Sequence, residues 1–234
     1  MKKYRKISIV MPVYNEKNTI LKILKKVDSV KLSLEKEIIL VDDCSKDGTR
    51  DILKKLPKKY KIVYHDVNQG KGSALRTGFK NATGDIITIQ DADLEYNPED
   101  YKKLIDMIIN GEEIVYGSRF KGKPFFSKQR WFLPHHYIGN KILSLATSIL
   151  YFRWITDMET CYKMFTKKAL NKINLKSKRF DFEPEITAKF IKKGFKIKEI
   201  PINYYPRDFK KGKKITWKDG IKALFYLLKY RIVD

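Results

Sequence analysis

Strand-like and helix-like segments alternate along the first half of the chain, and this alternation restricts the fold more than any other feature. Short β-branched runs recur, with helical apolar spacing between them, at 6–13, 37–41, 61–64, 86–90 and 114–117. Strands that alternate with helices pair in parallel through right-handed crossovers. The pattern therefore predicts an α/β fold, with a doubly wound, mostly parallel sheet flanked by helices.

Polar or glycine-rich residues follow the predicted strands. Asp42 and Asp43 come after the second strand, 68–72 after the third, and Asp91-Ala92-Asp93 after the fourth. Because the carboxyl ends of parallel strands meet at one edge of a sheet, these residues should lie close together. The sequence therefore predicts a ligand-binding site along this edge.

The triplet at 91–93 has the chemistry of a cation site. Asp91 and Asp93, with Glu95 two residues further on, offer the oxygen ligands that Mg²⁺ or Mn²⁺ prefers. Such a cation can neutralise a diphosphate, which indicates transfer from a nucleotide-activated donor. Two Asp residues around one free position also occur by chance, so the surrounding motifs must supply the specificity.

Composition narrows the class of protein. With 234 residues, 43% of them apolar, the chain can bury one sizeable core. Its two cysteines, Cys44 and Cys161, have no metal-ligand spacing, which argues against a disulfide framework or a zinc site. The net charge of +23 indicates either an acidic partner or surface or a generally lysine-rich composition. No nucleic-acid-binding signature accompanies that charge, so we do not expect nucleic acid to be the partner.

The second half of the chain is basic and amphipathic. A segment at 138–152 and a last helix from about Trp217 carry apolar residues at helical spacing, and 192–234 has an excess of nine positive charges. Trp217, Ile221, Leu224, Phe225 and Leu228 form the apolar face of the last helix. No window reaches the roughly 18 to 20 apolar residues that span a bilayer. We expect a cytoplasmic protein whose apolar helices either pack on its own core or dock on an anionic membrane.

Seven motifs, in order, carry a resemblance to a known family. They are PVYNE (12–16), VDDCSKDGT (41–49), NQGKG (68–72), DAD (91–93), GSR (117–119), TDMETCYK (156–163) and FDFEPE (180–185). The first four resemble family 2 inverting glycosyltransferases with the GT-A fold. The last three are similar to the branch of that family that makes polyprenyl-phosphate sugars, including the dolichyl-phosphate mannose and glucose synthases.

The resemblance implies roles for particular residues. The nucleotide-sugar pocket maps to Pro12, Tyr14, Glu16, Asp42, Asp43, Gly70, Lys71, Asp91, Ala92 and Asp93. The metal ligands map to Asp91, Asp93 and Glu95, and the position of Glu95 is often Gln in close relatives. The residues expected in catalysis are Asp93, Arg119 and Asp157. Two alternatives stay open: Asp42 or Asp43 could simply cap the next helix, and 68–72 could be an ordinary turn.

The chemistry of the acceptor decides the mechanism. A hydroxyl acceptor needs a general base, for which the candidates are Asp157, Glu159, Glu183 and Glu185. A lipid phosphate is already ionised and needs cations instead, which offset its repulsion from the donor diphosphate. The candidates for that role are Arg119, Arg130, Arg207 and Lys214. In this second case Asp157 would shape the acceptor pocket.

Three functions follow as hypotheses. The first is hexose transfer from a GDP-mannose or UDP-glucose type of donor to a polyprenyl phosphate, by a single GT-A domain at 1–234. Its donor half would be 1–118, and its acceptor and membrane-facing half would be 119–234. The protein would attach peripherally to the cytoplasmic face of an anionic membrane. A membrane-anchoring partner protein would be another means of attachment. The second is transfer to a saccharide hydroxyl. The third is a non-catalytic basic module that binds nucleotides or nucleic acid without a metal.

Overall fold

A computed structural model describes residues 4–122, 134–206 and 217–233 of the protein. The strands in these ranges are β1 (Lys6–Val13), β2 (Glu35–Asp42), β3 (Tyr60–Tyr64), β4 (Ile86–Ile89), β5 (Ile114–Ser118), β6 (Lys163–Thr166) and β7 (Lys198–Pro201). The helices are α1 (Ile20–Ser29), α2 (Thr49–Lys54), α3 (Lys71–Asn81), α4 (Tyr101–Ile109), α5 (Pro134–Tyr151), α6 (Lys167–Leu170), α7 (Phe182–Lys192) and α8 (Trp217–Ile232). A 3-10 turn, Pro98–Asp100, precedes α4.

The strands form one seven-stranded sheet in the order β3-β2-β1-β4-β6-β5-β7. All neighbouring pairs are parallel except those of β6, which runs antiparallel to both β4 and β5. The predicted mostly parallel, doubly wound α/β sheet is confirmed. Sequence patterning did not predict β6, because this strand has only four residues and begins within a polar motif.

Apolar side chains cover both faces of the sheet. On one face, Ile9 and Met11 of β1 belong to a buried cluster with Ile23 of α1 and Leu104 of α4. On the other face, a second cluster joins β1, β2 and β4 to α3 and α7 through residues such as Phe79. Burial of large apolar side chains, at about 1.5–3 kcal/mol each, fixes the helices against the sheet.

The topology brings the polar motifs to one edge. The carboxyl ends of β1, β2, β3, β4, β5 and β7 all point the same way, and the antiparallel β6 starts at that edge. The segments 14–17, 42–49, 65–70, 90–95, 118–119, 156–162 and 202–206 therefore meet there. This is the edge at which open α/β sheets bind ligands.

Helices α5 and α8 pack against each other through one face and expose another. Leu143 and Tyr151 of α5 contact a buried cluster that includes Ala223 and Leu227 of α8. Eight apolar residues on the outside, between 36% and 63% exposed, form what we call the outer apolar face: Ile138, Ile142, Leu145, Ile149, Ile221, Leu224, Phe225 and Leu228. None of the helices in the described ranges is long and apolar enough to span a bilayer.

Candidate active site

The segments that follow β1 and β2 are joined to each other at the carboxyl edge. The Asn15 N–H donates to Ser45 Oγ over 3.0 Å, and Asn15 Oδ1 accepts from the Lys46 N–H over 2.9 Å. Asn15 has a φ of 53°, in the left-handed region that Asn tolerates better than most residues. The predicted nucleotide residues on this side of the site are Pro12, Tyr14, Glu16 and Asp42. The link between the two segments holds these four positions together.

Asp42 is buried and paired. Its Oδ2 lies 2.6 Å from Arg50 Nε, and its Oδ1 accepts the Ser45 N–H over 3.2 Å. The N-cap position of α2 is occupied by Gly48, not by either aspartate. The alternative in which Asp42 or Asp43 caps the following helix is therefore wrong.

Asp43 organises the turn at 68–72. Its carboxylate accepts the N–H groups of Gln69 and Gly70 over 2.9 and 2.7 Å, and it lies 2.8 Å from His65 Nδ1. Nε2 of the same imidazole is 2.9 Å from Thr77 Oγ1. Asp43 thus connects the end of β2 to the start of α3, and its predicted contact with the nucleotide would add to this structural role.

The start of α3 is covered by the backbone near Lys178. Gly70 has a φ of 93°, and a Cβ at this position would lie 2.5 Å from the Lys178 carbonyl oxygen. That oxygen also accepts the Ser73 N–H over 3.0 Å. One of the N–H groups expected to face an anion is therefore already used, and only glycine fits the approach of the two chains.

Lys71 joins three groups from different parts of the chain. Its Nζ lies 3.2 Å from Asp91, 3.0 Å from Glu183 Oε1 and 3.1 Å from Cys161 Sγ. Two of the three ammonium donors are used in hydrogen bonds to Asp91 and Cys161, and Glu183 is an ion-pair partner. Burial opposes the charged form, but the neighbouring carboxylates outweigh it and raise the Lys71 pKa above its usual value. Contact with a donor phosphate would require Lys71 to exchange one of these partners.

The loop 91–95 contains the predicted cation ligands. Asp93 Oδ1 accepts the Glu95 N–H over 3.1 Å, and Glu95 Oε2 accepts the hydroxyl of Tyr204 over 2.8 Å. Ala92 is buried between the two aspartates and packs in the core below β4. Leu94 has a φ of 68°, so this loop holds a backbone conformation that an L-residue with a large side chain seldom adopts.

The donor set suits a cation that is shared with a substrate. No group of three or more His, Cys, Asp and Glu side chains within the described ranges is arranged to hold a metal ion. Mg²⁺, however, is commonly held by one or two carboxylates together with substrate phosphates. Asp91 and Asp93 supply two carboxylates from one loop, although Asp91 also pairs with Lys71, and their role as ligands stays a prediction. Asp91, Asp93 and Glu95 do not form a three-carboxylate metal site in this structure. The role of Glu95 as a metal ligand stays a prediction.

Arg119 and Asp157 form a buried, bidentate ion pair. Arg119 Nε and Nη2 donate to Asp157 Oδ2 and Oδ1 over 2.8 and 2.7 Å, and the Arg119 backbone N–H also donates to Oδ2 over 2.8 Å. Burial opposes the guanidinium charge, but Asp157 outweighs it and keeps the Arg119 pKa above its usual value. Both oxygens of Asp157 are therefore occupied by the arginine, which does not suit a general base.

The remaining base candidates, Glu159, Glu183 and Glu185, differ in their surroundings. Burial and the charge of Glu183 raise the pKa of Glu159 to about 8, which favours the protonated form and does not suit a general base. Glu185 accepts the N–H groups of Lys176 and Ser177 and pairs with Lys189 at 3.1 Å. Glu183 pairs with Lys71 through Oε1, whereas its Oε2 has no hydrogen-bond partner among the described residues.

Three of the predicted phosphate ligands, Arg130, Arg207 and Lys214, lie outside the described residues, as do the side chains at 134–136 and 217–219.

Two residues of the site were not predicted from the sequence. Glu199 of β7 accepts the backbone N–H groups of Thr156 and Asp157 over 2.8 and 2.9 Å, which fixes the segment that carries Asp157. Tyr204 contacts the loop 91–95. Glu199 lies in β7 and Tyr204 follows this strand at the binding edge. The same signal, a polar residue at or near the end of a strand, predicted the other residues of the site.

Comparison with known proteins places the chain in a family. Residues 8–173 match the model for glycosyl transferase family 2. The chain belongs to glycosyl transferase family 2. A dolichol-phosphate mannosyltransferase of Pyrococcus furiosus is 38% identical over 53% of this chain and 37% of its own length. A UDP-N-acetylglucosamine–dolichyl-phosphate N-acetylglucosaminyltransferase of Methanococcus voltae is 30% identical over 95% of this chain and 94% of its own length. The resemblance to the polyprenyl-phosphate branch agrees with these names.

The fold of this family 2 glycosyltransferase also has solved neighbours. Glucosyl-3-phosphoglycerate synthase of Mycobacterium tuberculosis, crystallised with Mn²⁺, UDP and phosphoglyceric acid, superposes with a TM-score of 0.71. That match covers 98% of this chain and 80% of the other at 16% identity, so it supports the GT-A fold alone. The predicted division into a donor half and an acceptor half stays a prediction.

Proposed function

We propose that this protein transfers a hexose from a nucleotide sugar to a polyprenyl phosphate, with inversion at the anomeric carbon. The observation that carries the proposal is the bidentate pairing of Arg119 with Asp157. The pairing occupies the carboxylate that was the first candidate for a base, and it supports Arg119 as the cation that we expect beside the acceptor. A site of this kind suits an acceptor that is already ionised.

The acceptor phosphate would bind beside Arg119. Nε and Nη2 of this guanidinium face Asp157, whereas its Nη1 donates to no partner within the described ranges. Two unit negative charges about 4 Å apart repel by roughly 4 kcal/mol at an effective dielectric of 20. Arg119 would offset part of this repulsion, with Asp157 fixing the plane of its guanidinium. Arg130, Arg207 and Lys214 are proposed to contribute further positive charge.

The donor would occupy the edge between β1 and β4. Asp42 and Tyr14 are proposed at the nucleoside, with Asp91 and Asp93 at the diphosphate. Mg²⁺ or Mn²⁺ bound by these two aspartates would supply positive charge to the diphosphate, as the Mn²⁺ and UDP complex of the fold neighbour supports. An oxygen of the lipid phosphate then forms a bond to C1 of the hexose while the bond from C1 to the nucleoside diphosphate breaks. Attack from the opposite side inverts C1.

Activity should depend on Asp93. Asp93→Asn should lower transfer of labelled hexose to polyprenyl phosphate by about a hundredfold or more, because even an indirect partner of a metal site is worth about 10–100-fold. Asp106→Asn, an exposed carboxylate of α4, is the matched control and should keep full activity. Wild-type activity in Asp93→Asn would contradict the proposed role. Nucleotide binding without any turnover, and without a metal, would favour a non-catalytic module instead.

The outer apolar face would bring the enzyme to its lipid substrate. Its eight residues lie on two adjacent helices, and the segment 192–234 carries an excess of nine positive charges. Basic residues near an anionic leaflet contribute about 1 kcal/mol each, and an inserted apolar face adds a second attraction. Together they support peripheral attachment, which we propose for the cytoplasmic face of the membrane.

A charge placed on this face should weaken membrane binding. Phe225→Glu, at a position that is 61% exposed, should reduce cosedimentation with vesicles of phosphatidylserine and phosphatidylcholine by about tenfold or more. Leu21→Glu on α1, which is 53% exposed and lies on another surface, is the matched control and makes the same change in charge. Equal losses for the two variants would show that net charge alone drives the attachment.

Transfer to a saccharide hydroxyl is a second candidate, and Glu183 favours it, because its Oε2 has no hydrogen-bond partner in the part of the chain that the structure describes. This oxygen could accept the proton of an attacking hydroxyl. Glu183→Gln keeps the shape of the side chain but removes its basicity. Loss of more than about a hundredfold in kcat, the lower range for general base catalysis, would support the hydroxyl acceptor. A change of only a few-fold would support the phosphate acceptor.

A further inference from the structure

Tyr204 lies between the predicted donor and acceptor sides of the site. Its hydroxyl donates to Glu95 Oε2 over 2.8 Å, in the loop that carries Asp93. The Arg119 guanidinium carbon lies 5.2 Å from the centre of the same ring, and the Tyr96 ring centre is also 5.2 Å away. Tyr204 therefore contacts the loop 91–95 through its hydroxyl and Arg119 through its ring.

The backbone around Tyr204 is held independently of the hydroxyl. The Tyr205 N–H donates to the Glu95 carbonyl oxygen over 2.8 Å, and Tyr96 and Tyr204 form an isolated antiparallel β-bridge. The Asn203 N–H donates to Asp100 Oδ2 over 2.8 Å. Removal of the Tyr204 hydroxyl would leave these contacts in place, so its loss should test the contact with Glu95 and not the fold of the segment.

The contact between Tyr204 and Glu95 is a direct hydrogen bond. The phenolic O–H donates to Glu95 Oε2 over 2.8 Å, and the Tyr205 N–H joins the two backbones beside this contact by donating to the Glu95 carbonyl oxygen. Hydrogen bonds to an ionised carboxylate are the stronger class, worth about tenfold to a hundredfold in an equilibrium. This contact is strong enough to hold one conformation of the loop 91–95.

We propose that Tyr204 is a positioning residue for the transfer reaction, which sets the loop 91–95 through Glu95 and the guanidinium of Arg119 through its ring. The inference rests on the proposed function. In this proposal Glu95 acts through its hydrogen bond with Tyr204, and the segment after β7 lies against the loop 91–95 in order to support it. Small errors in the placement of reacting groups cost large factors in rate, so such a residue acts mainly on kcat.

Tyr204→Phe is the direct test, and the adjacent Tyr205→Phe is its matched control. Phe keeps the ring over which Arg119 lies, while Tyr205 is 54% exposed and its ring makes none of these contacts. In the polyprenyl-phosphate assay, Tyr204→Phe should lower kcat by about tenfold or more. The KM for the nucleotide sugar should stay within about twofold, and the thermal unfolding midpoint should fall by no more than a few degrees.

A double-mutant cycle with Glu95→Ala tests whether the two residues act through their shared hydrogen bond. The double variant should be no slower than the slower single variant, because the contact is lost only once. Additive losses, an unchanged kcat in Tyr204→Phe, or an equal loss in Tyr205→Phe would each overturn the inference. Absence of transfer by the wild-type protein to any acceptor would instead overturn the proposed function.

Discussion

Replacement of Asp157 by asparagine tests whether this residue is structural support for Arg119 or a base. Its side chain is fully buried, that of Arg119 is 10% exposed, and three hydrogen bonds of 2.7 to 2.8 Å join the two residues. Removal of one partner from a buried ion pair costs roughly 3–5 kcal/mol, since the other charge is left uncompensated. Asparagine keeps one carbonyl acceptor, so we expect a loss of about 3 kcal/mol in the free energy of unfolding for Asp157→Asn.

Urea denaturation followed by tryptophan fluorescence measures this loss. With a slope of about 1–3 kcal/mol per molar urea, the midpoint should fall by about 1 M or more. Glu99→Gln is the matched control, because Glu99 pairs with Lys102 at 2.6 Å with both side chains about half exposed. That exposed pair should contribute less than about 1 kcal/mol.

Removal of the second charge gives a further check. Arg119→Met combined with Asp157→Asn leaves no isolated charge, so the double variant should be more stable than Asp157→Asn alone. The reasoning would be refuted if Asp157→Asn changed the free energy of unfolding by less than about 0.5 kcal/mol but abolished turnover. That result would return Asp157 to the role of base.

Two further predictions concern stability. Gly78→Ala should lower the free energy of unfolding by about 1–3 kcal/mol, because the new Cβ would lie 2.2 Å from Val10 Cγ1. In the control variant Gly139→Ala, the new Cβ meets no atom within 4 Å, so this variant should not be destabilised. Equal thermal midpoints for the two variants would contradict this prediction. Glu159 keeps its proton up to about pH 8 in the folded state but only to about its ordinary 4.5 when unfolded, so the free energy of unfolding should fall between about pH 5 and 8. Glu159→Gln should flatten that decline in urea titrations at several pH values, and an unchanged slope would show that Glu159 is already ionised.

The sequence alone predicted the mostly parallel sheet and the edge that carries the site, but not every strand. Periodicity and strand-end polarity both arise from local sequence, and these signals located 42–43, 68–72 and 91–93 correctly at one edge. The short strand β6 was missed because four residues, Lys163 buried among them, carry too little pattern. Its position between β4 and β5 is what brings Asp157 and Cys161 to the site.

The partners of the polar residues could not be predicted. The family resemblance predicts that Lys71 and Asp157 lie near a ligand, but it does not predict that Lys71 contacts Glu183 or that Asp157 is paired with Arg119. Such pairings join residues 38 or more positions apart, and they depend on how strands and helices pack in three dimensions. Tyr204 was overlooked for the same reason, since its contact with Glu95 spans 109 positions.

The identity of the acceptor group is the central claim, and one comparison tests it most directly. The protein would be incubated with Mg²⁺ or Mn²⁺ and radiolabelled GDP-mannose or UDP-glucose, in parallel with a short polyprenyl phosphate and with the matching polyprenol, which lacks the phosphate. We predict that label enters the organic phase with the polyprenyl phosphate alone, as a product that mild acid hydrolyses. Equal labelling of the polyprenol, or label found only in water-soluble saccharides, would contradict the phosphate acceptor.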